Sequence, residues 1–247
     1  MATPQKIRCV VKKITDHGDH VYTVDLTPER PLPKFKPGQF LHLTLDDYDP
    51  SGFWPESRVF SIASSPDNRN ILKISYSVRG RYTNRMENEL NEGQKVWVKM
   101  PYGDFVIRDA NNVVLLAGGT GITAFIAFIA GQTAISHNRV FLAYGARKPE
   151  LFLFKDAIDV KASNGNGFHA LYFVETDERS NLNDATHSRA AECLTGCLSL
   201  EDIWSRLENP REATYYIAGP PAMIRSLTCK LLTQKIRSEQ IKIDAWE

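Results

Sequence analysis

The sequence of 247 residues contains little cysteine and no strong excess of charge of either sign. Its four cysteines are too few and too scattered for a secreted disulfide framework, and their spacing does not fit a plant-type [2Fe-2S] site. Thirty basic residues against 29 acidic ones leave a net charge of +1. This balance argues against a nucleic-acid partner, because phosphate binding needs a basic excess. With no secretory signal in the first residues, we predict a cytoplasmic protein.

One long apolar stretch, residues 113–131, resembles a membrane span in length and hydropathy. Gly118, Gly119 and Gly121 interrupt it, which predicts a buried strand, a turn and a buried helix instead of a span. The sequence also lacks an H-E-x-x-H zinc motif, a Walker loop and a G-x-S-x-G elbow. We therefore predict neither a membrane span nor a metal site.

The first half of the chain has short apolar runs at strand spacing, separated by glycine- and proline-rich turns. The runs cover residues 7–14, 21–26, 39–45, 58–63, 71–78 and 95–100. Six short strands with regular turns predict an antiparallel six-stranded β-barrel over residues 1–109.

From residue 111 onward the pattern changes to strands that alternate with helices. We predict strands at residues 113–117, 139–144, 169–174, 214–218 and 241–246, and helices at about 122–136, from about 150, at 200–207 and at about 222–238. This alternation predicts a Rossmann-like α/β domain with a parallel sheet over residues 110–247. The polar stretch 176–191 is predicted to be a long loop.

A glycine-rich turn, Gly118-Gly119-Thr120-Gly121, lies between a predicted buried strand and a predicted helix. Free backbone N–H groups and the positive end of a helix dipole suit a pyrophosphate at such a turn. The full G-x-G-x-x-G pattern is absent. A tight turn that needs glycine only for packing therefore explains these residues equally well.

Two further motifs lie in the barrel half. Arg58-Val59-Phe60-Ser61 offers a guanidinium for a phosphate, an aromatic face for a ring system and a hydroxyl donor. Gly80-Arg81-Tyr82-Thr83 opens a predicted helix whose N-terminus suits a phosphate. Taken alone, the first is also explained by a surface arginine beside a core phenylalanine, and the second by a simple helix cap.

Together and in this order, these motifs and Ala218-Gly219-Pro220-Pro221-Ala222-Met223 resemble the ferredoxin-NADP reductase-like flavoproteins. The resemblance covers essentially the whole chain and implies FAD, with FMN less favoured, on the barrel and NADH or NADPH on the second domain. It implies hydride transfer between the two rings. The cofactor-binding residues it implies are Arg58, Val59, Phe60, Ser61, Ile74, Tyr76, Gly80, Arg81, Tyr82, Thr83 and Trp246. The nucleotide-binding residues it implies are Gly119, Thr120, Gly121, Ile122, Thr123, Arg147, Gly219, Pro220 and Met223.

The resemblance also implies catalytic residues and shows two departures. Ser61 and Asp244 are expected near the reactive nitrogen N5 of the flavin, and Trp246 is expected to cover the ring or simply to close the last strand. Phe60 replaces a more common tyrosine, and Ala218 replaces a cysteine found in many members. Both departures occur in flavin reductases that stand alone.

The identity of the nucleotide and of the electron acceptor is less constrained. Arg147 and Lys148 suit the 2'-phosphate of NADPH, whereas the acidic residues Glu175, Asp177 and Glu178 oppose it, so NADH is favoured. The leading interpretation is a reductase that passes electrons singly to a protein acceptor such as a ferredoxin or an oxygenase component. The alternatives are a reductase that uses free flavin as a substrate and a non-catalytic docking or sensing subunit.

Overall fold

The computed structural model describes residues 3–108, 112–131, 139–164, 167–175 and 191–244. The chain forms two compact units. One contains Met1–Ile107 and Thr123–Gly131, and the other contains Arg108–Ile122 and Gln132–Glu247. The domain boundary predicted at residues 109/110 falls outside the described residues and stays a prediction.

The first unit is built on six antiparallel strands. They are β1 (Gln5–Asp16), β2 (Val21–Pro28), β3 (Phe40–Thr44), β4 (Arg58–Ser61), β5 (Leu72–Ser77) and β6 (Lys95–Tyr102), with helix α1 (Arg81–Glu89) between β5 and β6 and helix α2 (Thr123–Gly131) in the same unit. Their order is β4-β3-β6-β1-β2-β5. The N–H of Ala63, after β4, donates to the carbonyl of Lys73 in β5 at 2.8 Å and helps to close the sheet. The predicted six-stranded antiparallel barrel is confirmed.

Alternation along the strands forms the barrel core. Ile7, Cys9 and Val11 of β1 are buried and the residues between them are not fully buried, because successive side chains of a strand point to opposite faces. Burial raises the pKa of the Cys9 thiol to about 12, so this thiol stays protonated and serves packing.

The second unit contains a six-stranded parallel sheet. Its strands are β7 (Asn112–Gly118), β8 (Arg139–Ala146), β9 (Phe168–Val174), β10 (Ala191–Thr195), β11 (Thr214–Ala218) and β12 (Ile241–Asp244), and its helices are α3 (Lys155–Ser163), α4 (Leu200–Trp204) and α5 (Pro221–Thr233). The order is β10-β9-β8-β7-β11-β12. Strands β7, β8 and β9 are almost continuously apolar and buried, as expected for parallel strands covered on both faces. The predicted parallel α/β fold is confirmed.

The prediction for the second unit missed one strand and misplaced one end of three helices, of which α4 ends at Trp204 instead of at residue 207. Strand β10 was not predicted, since its first residue lies at the end of the stretch assigned to a loop. Helix α3 begins at Lys155, not near residue 150, because Phe154 has a left-handed backbone (φ +59°) that separates the helix from the 3-10 turn Pro149–Leu151. Helix α5 ends at Thr233, not near residue 238, and Lys235 takes the left-handed conformation (φ +64°) shortly after it.

The apolar stretch that resembles a membrane span forms β7, a 3-10 turn and α2, as predicted. In the part of the chain that the structure describes, no helix combines the length and the hydrophobicity that crossing a membrane requires.

Tyr144 supports the loop that leads into α3. Its side chain is fully buried, and its hydroxyl donates to the carbonyl of Leu151 (3.2 Å) and accepts from the N–H of Leu153 (3.0 Å). Tyr144→Phe is expected to lower the free energy of unfolding by about 1–2 kcal/mol, because two buried hydrogen bonds are lost while the Leu153 N–H keeps only the Leu151 carbonyl as acceptor (3.0 Å). Urea unfolding checks this, with Tyr216→Phe as the control. The Tyr216 hydroxyl accepts a longer bond (3.3 Å) from Arg108, an exposed residue, so an equal or larger loss in the control would contradict the prediction.

Candidate functional site

The barrel unit brings together the two motifs predicted to bind a flavin. The guanidinium carbon of Arg58, at the start of β4, lies 5.2 Å from the centre of the Tyr82 ring in α1. The Phe60 ring lies 6.1 Å from the Tyr76 ring of β5 in an edge-on arrangement. Residues that are separated along the chain therefore meet where β4, β5 and α1 come together.

The N-terminus of α1 is open at Gly80. This residue is the N-cap, and a Cβ atom added to it would meet nothing within 4 Å. The Thr83 hydroxyl accepts from the N–H groups of Arg79 (2.9 Å) and Gly80 (3.1 Å) and donates to the Gly80 carbonyl (3.1 Å). Thr83 thus holds the turn in shape. Binding of an anion would depend mainly on the backbone N–H groups of the first turn, which have no acceptor within a helix.

Several predicted cofactor-binding side chains belong to the barrel core. Ile74, Tyr76 and Tyr82 are buried, and Phe60 is only 9% exposed. The Tyr82 hydroxyl donates to the Leu43 carbonyl at 2.7 Å. Burial raises the pKa of Tyr82 to about 12, so the phenol stays neutral and fastens α1 to β3.

The other members of the predicted flavin site reach the surface. Arg58 and Arg81 are exposed, whereas Val59 and Ser61 are half-buried. These four residues are therefore accessible to a ligand, and the buried ones support them. Their binding roles stay predictions.

The sheet of the second unit has a reversal in strand order at β7. From β7 the chain proceeds through β8 and β9 to β10 on one side, and β11 and β12 then add on the other side. In open parallel sheets ligands bind at the carboxyl ends of the strands where the order reverses. The turns that follow β7 and β11 both lie at this point, and they carry the predicted nucleotide motifs.

The two turns touch through their backbones. A Cβ atom on Gly121 would lie 2.3 Å from the carbonyl oxygen of Ala218. A Cβ atom on Gly118 would lie 2.6 Å from the sulfur of Met223, and one on Gly219 would lie 2.7 Å from the terminal methyl of the same residue. Contact with backbone atoms therefore requires a glycine at position 121, in agreement with the interpretation that the turn needs glycine for packing. The closest atoms at Gly118 and Gly219 belong to the flexible side chain of Met223.

Gly119 differs from its neighbours. It has a left-handed backbone (φ +53°), and a Cβ atom added to it would meet nothing within 4 Å. Gly119 therefore leaves open space at the reversal point, while Thr120 is half-buried beside it. Ile122 and Thr123 are buried, so their side chains serve packing.

The remaining predicted nucleotide residues lie at or beside the carboxyl edge of the sheet. Pro220 precedes α5, and Arg147 is exposed directly after β8. Asp244, at the end of β12, is buried and lies opposite Ala218 in the β11–β12 pair. Glu175 is exposed directly after β9. Trp246, Asp177 and Glu178 lie outside the described residues, so their predicted roles stay predictions.

Glu56 is a residue of the flavin-site region that the sequence did not reveal. Its carboxylate lies 3.0 Å from Nη2 of Arg81 and 3.6 Å from Nη2 of Arg58. It precedes Arg58 by two positions, but Arg81 is distant along the chain. No local pattern therefore indicated that the two guanidinium groups share one carboxylate.

Comparison with known proteins tests the assignment of the second unit. Residues 115–228 match the family model of the oxidoreductase NAD-binding domain. This segment, which is less than half of the chain, is similar to such a domain. The glycine turns at the reversal point lie within it.

Comparisons over longer segments extend to the barrel. The flavohemoprotein of Pseudomonas aeruginosa is 28% identical over 215 residues, which are 85% of this chain and 51% of that protein. The 2-halobenzoate 1,2-dioxygenase electron transfer component of Burkholderia cepacia is 23% identical over 244 residues, which are 92% of this chain and 66% of that protein. The chain thus spans about half to two thirds of the length of these relatives.

Solved structures share the fold. A crystal structure of a ferredoxin NADP+ reductase from Neisseria gonorrhoeae with bound FAD and NADP has a TM-score of 0.73 and 19% sequence identity, and the match covers 99% of each chain. The fold that the resemblance implies is therefore shared with a solved ferredoxin NADP+ reductase.

Proposed function

We propose that the chain is an NAD(P)H-dependent flavoprotein reductase that binds FAD on the barrel unit and NAD(P)H on the parallel-sheet unit. The main support is the reversal point of the parallel sheet, where two glycine turns pack together and leave open space at Gly119. The match of this segment to the oxidoreductase NAD-binding domain agrees with this interpretation.

The barrel unit offers groups that fit FAD. Gly80 leaves the N-terminus of α1 open, and the guanidinium groups of Arg58 and Arg81 lie close enough to share one carboxylate. A helix N-terminus beside two arginines suits a pyrophosphate, which favours FAD over FMN. When bound, FAD accepts two electrons from NAD(P)H as a hydride and releases them one at a time.

The protein residues would mainly position and shield the reacting rings. Arg58 and the first turn of α1 would bind the flavin phosphates. Phe60 would contact the flavin ring with the small part of its surface that is exposed, and Ser61 would hydrogen-bond near N5. Asp244 is a second candidate to hold a proton near N5, and Trp246 is a candidate to cover the flavin ring.

The second unit would bind the nucleotide at the turns after β7 and β11. Gly119, Thr120 and Gly121 would face the pyrophosphate together with Gly219 and Pro220, and Met223 would pack behind them. Arg147 would contact a phosphate. Glu175 is exposed directly after β9 and would repel a 2'-phosphate, so we favour NADH.

We further propose that electrons pass singly to a separate protein, such as a ferredoxin or an oxygenase component. The relative from Burkholderia cepacia is named as the electron transfer component of a dioxygenase.

The test is a visible spectrum of the purified protein, followed by anaerobic titration with NADH and then with NADPH. We expect an oxidised-flavin spectrum that bleaches at lower concentrations of NADH than of NADPH. Equal bleaching would contradict the NADH preference. Colourless protein that oxidises neither nucleotide, with or without added FAD, would overturn the proposal and favour a non-catalytic subunit.

A second candidate is a reductase that uses free flavin as a substrate. It is favoured by Phe60, which lacks a tyrosine hydroxyl to hold the flavin, and by Ala218 in place of cysteine. Gel filtration separates the two functions. A bound cofactor co-elutes with the protein, whereas a flavin substrate is lost while NAD(P)H oxidation still depends on added flavin.

A further inference from the structure

We propose that Glu56 is a built-in competitor for the phosphate-binding arginines of the barrel unit and so weakens retention of a phosphorylated flavin. The inference rests on the proposed function, because it assumes that Arg58 and Arg81 bind the flavin phosphates. Glu56 would then determine how readily the flavin dissociates and exchanges.

The geometry places one carboxylate between two guanidinium groups. Both oxygens of Glu56 accept from Nη2 of Arg81, at 3.0 and 3.1 Å. One of them also lies 3.6 Å from Nη2 of Arg58. A phosphate group would bind at the same place between the two guanidinium groups, because arginine binds carboxylates and phosphates with the same N–H groups.

Charge and exposure determine the size of the effect. The side chains of Glu56, Arg58 and Arg81 are 37%, 51% and 85% exposed, so water and salt reach all three. A phosphate that enters must displace the carboxylate or remain close to it, and both cost binding free energy. The cost is moderate, since the groups are not buried.

Arg58 does not depend on Glu56 for its position. Its Nη1 donates to the carbonyl of Ser57 at 2.9 Å, and its guanidinium stacks over the ring of Tyr82. Removing the Glu56 charge therefore leaves Arg58 in place and free of a competing anion. For Arg58, this separates competition from the alternative in which Glu56 orients the guanidinium for the ligand.

The experiment measures flavin binding by the apoprotein without any turnover. FAD and riboflavin are titrated separately, by quenching of flavin fluorescence, into the wild type and the Glu56→Gln variant. Glu56→Gln is expected to lower the dissociation constant for FAD about five- to tenfold at low salt and to leave that for riboflavin, which has no phosphate, unchanged. In 0.5 M NaCl the gain for FAD should fall below about twofold, because exposed charges are screened.

Glu89→Gln is the matched control. Glu89 pairs with Arg85 at 2.8 Å near the other end of α1, so the variant removes the same charge from a similar ion pair away from Gly80. Its dissociation constant for FAD should stay within about twofold of the wild type. Thermal unfolding of all variants verifies that they fold.

The results distinguish failure of the role of Glu56 from failure of the proposed function. If Glu56→Gln binds FAD no more tightly than the wild type, or tightens riboflavin as much as FAD, Glu56 is not a competitor for phosphate. If the wild type binds FAD and Arg58→Ala weakens that binding, such a result contradicts only the role of Glu56. If the wild type does not bind FAD, the proposed function fails and the role of Glu56 fails with it. If the wild type binds FAD but Arg58→Ala has no effect, the flavin phosphates are bound elsewhere and only the role of Glu56 fails.

Discussion

Replacing Gly121 by alanine is expected to disable the second unit. The added Cβ would lie 2.3 Å from the carbonyl oxygen of Ala218, 2.5 Å from its carbonyl carbon and 2.7 Å from the nitrogen of Gly219. These are backbone atoms of the adjacent turn, so no side chain can rotate to make room. We expect a loss of roughly 3 kcal/mol in the free energy of unfolding. NAD(P)H oxidation should be abolished, because the two turns would be forced apart.

Gly145→Ala is the control for this substitution. Gly145 lies at the carboxyl end of β8, opposite Gly118 of β7, and a Cβ there would be no closer than 3.7 Å to any atom around it. This variant should lose less than about 1 kcal/mol and keep its activity. Urea unfolding and NADH oxidation measure both properties. If Gly121→Ala behaves like Gly145→Ala, the close contact between the turns has no energetic importance.

Replacing Arg58 by alanine should have the largest effect on flavin binding. The residue combines a half-exposed guanidinium with a fixed position over the Tyr82 ring. Loss of a charge-assisted contact to phosphate is worth about 2–3 kcal/mol, which is about a 30- to 150-fold rise in the dissociation constant for FAD. Fluorescence titration of the apoprotein measures this, and riboflavin binding should change far less.

Arg85→Ala serves as the control for Arg58→Ala. Arg85 also lies in the barrel unit, but it pairs with Asp46 at 2.5 Å and with Glu89 at 2.8 Å. Removing it should leave FAD binding within about twofold of the wild type. Equal affinity in Arg58→Ala and the wild type would show that the flavin phosphates are bound elsewhere.

The main architecture could be predicted because its hydrophobic patterns are regular. Alternation identified the barrel strands, and the continuous apolar run of β7 beside a glycine turn identified the first strand of the parallel sheet. The errors in the predicted ends of α3 and α5 came from local backbone geometry. Phe154 and Lys235 take left-handed conformations that their residue types do not signal. Strand β10 is short and at the edge of the sheet, and most of its residues are not fully buried.

The candidate site was predicted less completely than the fold. The order of the motifs pointed to Arg58, Phe60 and the glycine turns. It gave no information on burial, and Ile74 and Tyr82, which were predicted to bind the cofactor, are buried in the core. The partnership of Glu56 with Arg81 depends on how the loop before β4 folds back towards α1. Sequence spacing carries no information on such a contact, because these residues belong to different elements.

The strand order also bears on how the chain matures during synthesis. Leu116 of β7 pairs with Ile217 of β11, so one edge of β7 has no partner until β11 has left the ribosome. The emerging polypeptide would then expose an apolar strand edge of the kind that favours aggregation and attracts chaperones. Slow translation between β10 and β11 would prolong that vulnerable interval.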